Sequence, residues 1–379
     1  MRRPLARLLL AALCLSSPLA LAATPPKQPE KGPGGADYSA AQVVKRAVGT
    51  ASAATYVFHP NGPAGQARPV VVFFHSWGGA NPQFYGGWIE HLARKGFLVL
   101  FPRFQEVNRT RPADATGLAT MLVRDAFASL ANDPDARPDP SRVAYVGHLA
   151  GSIVALNVAA SAKIEGVPVP KLIFAVMPGG IAQDAKSRGI PLGDLSQIDA
   201  STIFITMSGD RDHLATDRNA RRLLKEVANV PANRKLFMRA LSDDHGFPTL
   251  SATLASPGSP KDAYDASAIR LPVDPPQDPK QQTRFKWSAD MALTGQQTVL
   301  TAQLGMNVTD SLDYYAFWKT LDVAAEAAFA GRDAVTLRAD PRFIDMGSWS
   351  DGWPVRRLSA DMPRVEGETK PQQAPGRRS

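Results

Sequence analysis

Between residues 52 and 250 the chain alternates short β-branched or aromatic runs with longer stretches in which apolar residues recur every three or four positions. The runs at 70–74, 97–101, 142–146, 172–177, 202–207 and 235–241 predict strands, and the continuous apolarity of 70–74 and 97–101 predicts burial on both faces. Pro102 stops the second run and Gly147 follows the third. The periodic stretches at 88–95, 114–131, 152–162 and 215–227 predict helices, with Ile89, Leu92 and Ala93 facing inward in the first. Strands alternating with helices at this spacing predict an α/β fold, a doubly wound, mostly parallel sheet. Such sheets bind ligands outside the carboxyl ends of their strands. The loops after Phe74, Val146, Met207 and Leu241 are therefore the ones to search for chemistry.

Beyond residue 250 the rhythm fades into a loop-rich C-terminal extension. Residues 251–310 read as an irregular insertion, of which 251–282 is rich in Pro, Ser and Asp and 285–304 carries no clear pattern. Residues 311–330 form an amphipathic helix capped by Thr309 or Asp310 and stopped near Gly331, with Tyr314, Phe317, Leu321 and Ala324 or Ala325 inward. Residues 343–355 read as a terminal flap. A single domain over 51–362 accommodates all of this, between a flexible leader at 23–50 and a disordered tail at 363–379.

The first residues carry Arg2, Arg3 and Arg7, then the apolar run 8–15, then Ala20-Leu21-Ala22. That order predicts a signal peptide, residues 1–22, cleaved after Ala22, and an exported protein, periplasmic or secreted. The run is shorter than the ~20 residues of a membrane span. Leu13 before Cys14 makes a poor lipid-attachment site. Cleavage would lower the formal charge from +8 to +5 and remove Cys14, the single cysteine of the 379 residues. Disulfides and cysteine-based metal clusters are thereby excluded from the expected product. The basic excess is scattered along the chain, which argues against a nucleic-acid partner.

The loop after Val146 reads Gly147-His148-Leu149-Ala150-Gly151-Ser152. A strand before it and a helix after it match the frame G-x-S-x-G, a sharp turn that presents a nucleophile at a helix N-terminus. Leu149 occupies the nucleophile position. After Met207 comes Ser208-Gly209-Asp210-Arg211-Asp212, and after Leu241 comes Ser242-Asp243-Asp244-His245-Gly246. Turn, acid and histidine in that chain order resemble the α/β-hydrolases, nearest to the dienelactone hydrolase, chlorophyllase and acetylhydrolase types, over residues 52–250 with the helix at 311–330 covering the sheet.

The resemblance implies an α/β-hydrolase fold and an ancestry among carboxylic-ester hydrolases. It implies Asp212 as the acid, Asp210 as the second choice, and His245 as the general base. Residues 75–79, His-Ser-Trp-Gly-Gly, are similar to the segment that supplies half of an oxyanion hole in that superfamily. By position that N–H belongs to Trp77 and the other half to Ala150. Ser76 stands where the superfamily has glycine.

Each residue also has a plainer reading. Asp212 could cap the following helix, and Asp243 and Asp244 read as solvated loop acids. His148 is a neighbour of the turn, while His59, His91 and His213 have no partners at metal-ligand spacing. Ser152 lies one helical turn past Leu149, so its side chain is expected to miss the tip of the turn. Ser76 could face the same pocket, with no base in sequence beside it. No dinucleotide or Walker motif occurs, so no cofactor is expected.

Leucine supplies neither an attacking oxygen nor a proton to remove, so the acyl-enzyme route is closed to it. A turn with no catalysis to maintain is free to relax. Three readings follow: an impaired homologue that binds an ester-like small molecule or a partner, a secreted esterase if the source gene encodes Ser at 149, or base catalysis by His245 and Asp212 without a covalent nucleophile. Oligomeric state is not legible in the sequence.

Overall fold

The computed structural model describes residues 22–62, 65–184, 186–212, 216–274, 286–293 and 297–363. The expected signal segment, apart from Ala22, and the tail from 364 onward lie outside the described residues, as does His213.

The strands are β1 (Val43–Gly49), β2 (Ala54–Pro60), β3 (Arg68–Phe74), β4 (Leu98–Pro102), β5 (Pro138–His148), β6 (Leu172–Val176), β7 (Ile203–Gly209), β8 (Lys235–Ala240) and β9 (Ser359–Asp361). They form one sheet in the order β1-β2-β4-β3-β5-β6-β7-β8-β9. Neighbours from β4 through β8 are parallel, while β1, β2 and β9 pair antiparallel at the two edges. Between the parallel strands run α1 (Gly86–Arg94), α2 (Ala115–Leu130), α3 (Ala150–Glu165) and α4 (Thr216–Glu226). The chain winds outward in opposite directions from β3 and β5, so the crevice between their carboxyl ends is the topological switch point.

Alternation along the central strands sorts the core into two layers. Val71 and Phe73 of β3 pack with Trp88, Ile89 and Leu92 of α1 on one face. Val70, Val72 and Phe74 pack with Ala119 and Leu122 of α2 and Ile153 of α3 on the other. These strands are fully buried because both faces are covered, the condition under which an unbroken apolar run is stable.

Three regions depart from the expectations. The leader is not uniformly flexible: residues 43–49 are β1, paired residue by residue with β2. Both faces of β1 are only half buried and it carries Lys45 and Arg46, the composition of an edge strand rather than of a core run. Ahead of it the chain is fixed along the body, with Gly34 N donating to Asp322 Oδ2 at 2.8 Å and Lys95 Nζ to the Gly32 carbonyl at 2.9 Å.

Within 251–310, the described residues include α5 (Gln297–Met306). The helix expected at 311–330 is present, but its first part, Leu312–Trp318, is π-helical before α6 (Lys319–Phe329) continues it. Phe317 and Leu321 lie in the same core layer as α1, so this helix covers that face of the sheet. Two short helices, α7 (Ala334–Ala339) and α8 (Pro341–Ile344), then lead to residues 345–358 and β9. Among the described residues no helix is long and apolar enough to cross a membrane.

Candidate functional site

Strand β5 delivers the chain to Leu149 at φ 51°, ψ −116°, and α3 starts at the next residue. A side chain rarely adopts this conformation, which costs on the order of 1–3 kcal/mol. The turn has not relaxed. A Cβ on Gly147 would meet the Gly151 carbonyl oxygen at 2.5 Å, and one on Gly151 would meet the Phe74 carbonyl oxygen at 2.1 Å. Two glycines are thus required by backbone against backbone, whatever residue stands between them. Ser152 Oγ donates to the carbonyls of Gly147 at 2.7 Å and Val176 at 3.2 Å, and Leu149 N donates to Val176 O at 3.0 Å. Ser152 is therefore turned back into the scaffold, as its place on the helix implied. Gly151→Ala is expected to destabilise the fold by roughly 2–4 kcal/mol, because the obstructing atoms are main chain and cannot swing away. Urea unfolding measures it, and an unchanged midpoint would show that the loop after β3 is free to retreat.

The Leu149 side chain is 7% exposed, and its Cδ2 would lie 3.3 Å from a Cβ on Gly179. It is a member of the core layer that contains Val176, Met177 and Met207. Leu293 and Ala150 both approach Gly180, so Leu293 lies close to the start of α3. The segment after β8 also crosses the strand ends: the Ala252 carbonyl would touch a Cβ on Gly209 at 2.3 Å, and the Leu254 carbonyl accepts from His148 Nε2 at 2.8 Å.

The loop after β3 abuts the turn directly, since the His75 carbonyl would lie 2.5 Å from that same Gly151 Cβ. The amides flanking Trp77 are occupied, Ser76 N by Tyr85 Oη at 3.2 Å and Gly78 N by Gln105 Oε1 at 2.6 Å. Ala150 is the first residue of α3, and its N–H is among those a helix leaves without an internal acceptor. The loop after β3 and the start of α3 therefore lie against each other. His75 is fully buried and stacked on Phe104, with centroids 4.0 Å apart, and its Nδ1 bonds the Ser76 carbonyl at 2.9 Å.

The carboxylate on the His245 ring is Asp351, whose Oδ2 lies 2.7 Å from Nε2. Neither Asp210 nor Asp212 makes this bond. Asp210 accepts from Ser242 N at 2.9 Å and from Ser242 Oγ at 2.5 Å, which ties the ends of β7 and β8 together. Asp212 is half-buried, three residues past the end of β7. The sequence had no means of finding Asp351, which lies 106 residues past His245 and arrives only because β9 pairs with β8 and folds the flap back. His245 also stacks on the exposed Trp353, 5.5 Å between centroids at 11°. Asp243, expected as a solvated acid, is buried and accepts from Arg356 N at 2.9 Å and Trp349 Nε1 at 3.3 Å. Those bonds hold its carboxyl below the ordinary range, although burial pushes the other way.

Among the described residues no group of three or more His, Cys, Asp or Glu is placed to hold a metal ion. His91 bonds Asp322 at 2.9 Å beneath Trp318, and His59 bonds the Pro60 carbonyl, both within the scaffold.

A strained strand-to-helix turn at the switch point, flanked by the loop after the neighbouring strand, defines an α/β-hydrolase fold. The family description "Dienelactone hydrolase family" matches residues 53–270, more than half of the chain, and the chain belongs to that family. Similar solved structures include a carboxyl esterase 2 from the mycorrhizal fungus Tuber melanosporum, 15% identical with a TM-score of 0.41, covering 54% of this chain and 77% of that one. A thermostable esterase from Pseudomonas putida is 17% identical with a TM-score of 0.42, covering 54% and 74%. Among curated proteins, the methylphloroacetophenone synthase of Cladonia uncialis is 28% identical over 154 residues, 36% of this chain. The chain spans only 6% of that relative's length.

Proposed function

We propose that this member of the family is an exported protein that has kept the hydrolase turn without its nucleophile, and that it binds an ester-like small molecule or a partner rather than forming an acyl-enzyme. The observation that carries this reading is Leu149 at φ 51° on the tip of the turn, in the place from which a nucleophile would act. With Leu149 there, the backbone can still offer N–H groups to a carbonyl or carboxylate oxygen, from Trp77 and Ala150, beside an apolar side chain. Export rests on the charged, apolar and small-residue order of residues 1–22.

A second reading has its own support. His245 is partly exposed and already paired with a carboxylate, Asp351, so a base is available for chemistry without a covalent intermediate. That reading takes Asp351 rather than Asp212 as the partner of His245. A secreted esterase remains the third alternative if the source gene encodes Ser at position 149.

The test treats the purified wild-type chain with a serine-directed fluorophosphonate and follows adduct formation by intact mass. No adduct is expected, together with thermal stabilisation by non-hydrolysed ester analogues. An adduct at any serine of the turn or of the loop after β3 would overturn the binding reading. Steady ester turnover without an adduct, abolished by His245→Ala, would favour the second reading. The same mass measurement on exported protein reads the processing site, expected after Ala22.

A further inference from the structure

Ser76 stands one residue before Trp77, and His148 stands two before Ala150. One side chain joins them. Tyr85 Oη lies 2.8 Å from Ser76 Oγ and 2.8 Å from His148 Nδ1, and it accepts the Ser76 N–H at 3.2 Å. All three residues are fully buried.

Proton bookkeeping defines the state of this network. The Leu254 carbonyl can only accept, so His148 Nε2 carries a proton. Burial lowers the affinity of the ring for a second proton, to a pKa of about 4, so at neutral pH Nδ1 presents a lone pair to Tyr85. The single phenolic proton serves either Ser76 Oγ or His148 Nδ1, and when it goes to His148 the Ser76 hydroxyl can donate to Oη in turn. Losing Oη would leave buried polar atoms on both elements without this partner.

Tyr85 is itself held. Its ring packs on Phe73, 4.9 Å between centroids, and on Phe101 at 6.2 Å. It closes the 3-10 turn Pro82–Tyr85, which Asn81 caps through Gln83 N. The turn is wedged in place, because a Cβ on Gly86 would stand 2.7 Å from Lys261 Cβ.

We propose that Tyr85 is a positioning residue that sets the spacing of the Trp77 and Ala150 N–H groups by tying the loop after β3 to the end of β5. The proposal rests on reading those two groups as the ligand-accepting pair. It also gives a physical reason for Ser76 where the superfamily has glycine: a hydroxyl there reaches the phenol, and glycine would leave only the amide.

The test has two arms. In a Leu149→Ser chain, adding Tyr85→Phe keeps the ring but removes Oη. It should slow fluorophosphonate labelling by about 10- to 100-fold without moving the midpoint of its pH profile. Ser76→Gly should slow it too, and the double change should cost less than the two losses combined, since both cut the same tie. In the otherwise wild-type chain, Tyr85→Phe should speed amide exchange at both 75–79 and 148–152. Faster exchange confined to 75–79, or none, overturns the proposal, as does an unchanged labelling rate. Should the Leu149→Ser chain itself resist labelling, the exchange arm alone decides on Tyr85, and that failure counts against the ligand-accepting reading instead.

Discussion

Replacing Leu149 by serine is expected to turn a chain inert to fluorophosphonates into one labelled at residue 149. The backbone that a nucleophile needs is already present, because the φ of 51° is enforced by the close contacts of Gly147 and Gly151 and not by the residue between them. Serine is smaller than leucine and enters the turn without overpacking, and its Oγ would start beside the first N–H of α3. Labelling should rise to at least about 100-fold above the wild-type background, the order of effect seen when an oxyanion site gains something to stabilise. Adding His245→Ala asks whether that ring can leave Asp351 and serve the new serine. A large drop in labelling places His245 in the assisting role that the resemblance implied. No labelling of Leu149→Ser at all would mean that the space around the turn no longer admits the reagent, and the idea of a dormant active site would be abandoned.

Acid should unfold this protein earlier than its carboxylates alone would. His75 and His148 are fully buried, and desolvation lowers both from the ordinary 6.5 to about 4. The unfolded chain takes up these protons near pH 6.5, whereas the folded chain resists them until about pH 4. Stability from both groups is therefore complete above about 6.5 and is lost as the pH falls toward 4. By pH 4 the loss should reach roughly 3 kcal/mol for each ring, an order-of-magnitude figure. Carboxylates held below their ordinary 3.8, such as Asp133 and Asp217, weaken the fold only at lower pH, whereas buried Asp310 and Asp313, raised by desolvation, act in the opposite direction as the pH falls. In the window between 6.5 and 4, the difference between wild type and His148→Gln is therefore what isolates a histidine. His59, also lowered by burial, adds in the same direction. Urea midpoints measured across that window should fall steeply, and less so in His148→Gln. The same slope in His148→Gln as in the wild type would show that this ring finds water or a counter-charge on protonation.

Much of the path to the site was legible along the chain. The runs at 70–74, 142–146 and 202–207 correspond to β3, β5 and β7, because a strand covered on both faces is built mostly of apolar residues. Gly147 and Gly151 marked the turn because only glycine tolerates that backbone contact, a local demand that a local sequence records. Leu149 at the tip of the turn, and Ser152 facing away from it, followed from spacing alone.

Other features depended on residues far apart in sequence. β1 is an edge strand whose residues are only partly buried, so Lys45 and Arg46 conceal it. The acid on His245 is Asp351 because β9 closes against β8 and returns the flap, and no spacing rule links positions 106 apart. The Ser76–Tyr85–His148 network likewise joins three elements through side chains whose neighbours in sequence give no sign of it. The sequence by itself determined the strand-and-helix order and the backbone of the turn, since periodicity and steric demand act over a few residues. Tertiary structure alone decided which carboxylate meets which histidine and which hydroxyl braces the loop, since hydrogen-bond partners are chosen by proximity in the folded chain.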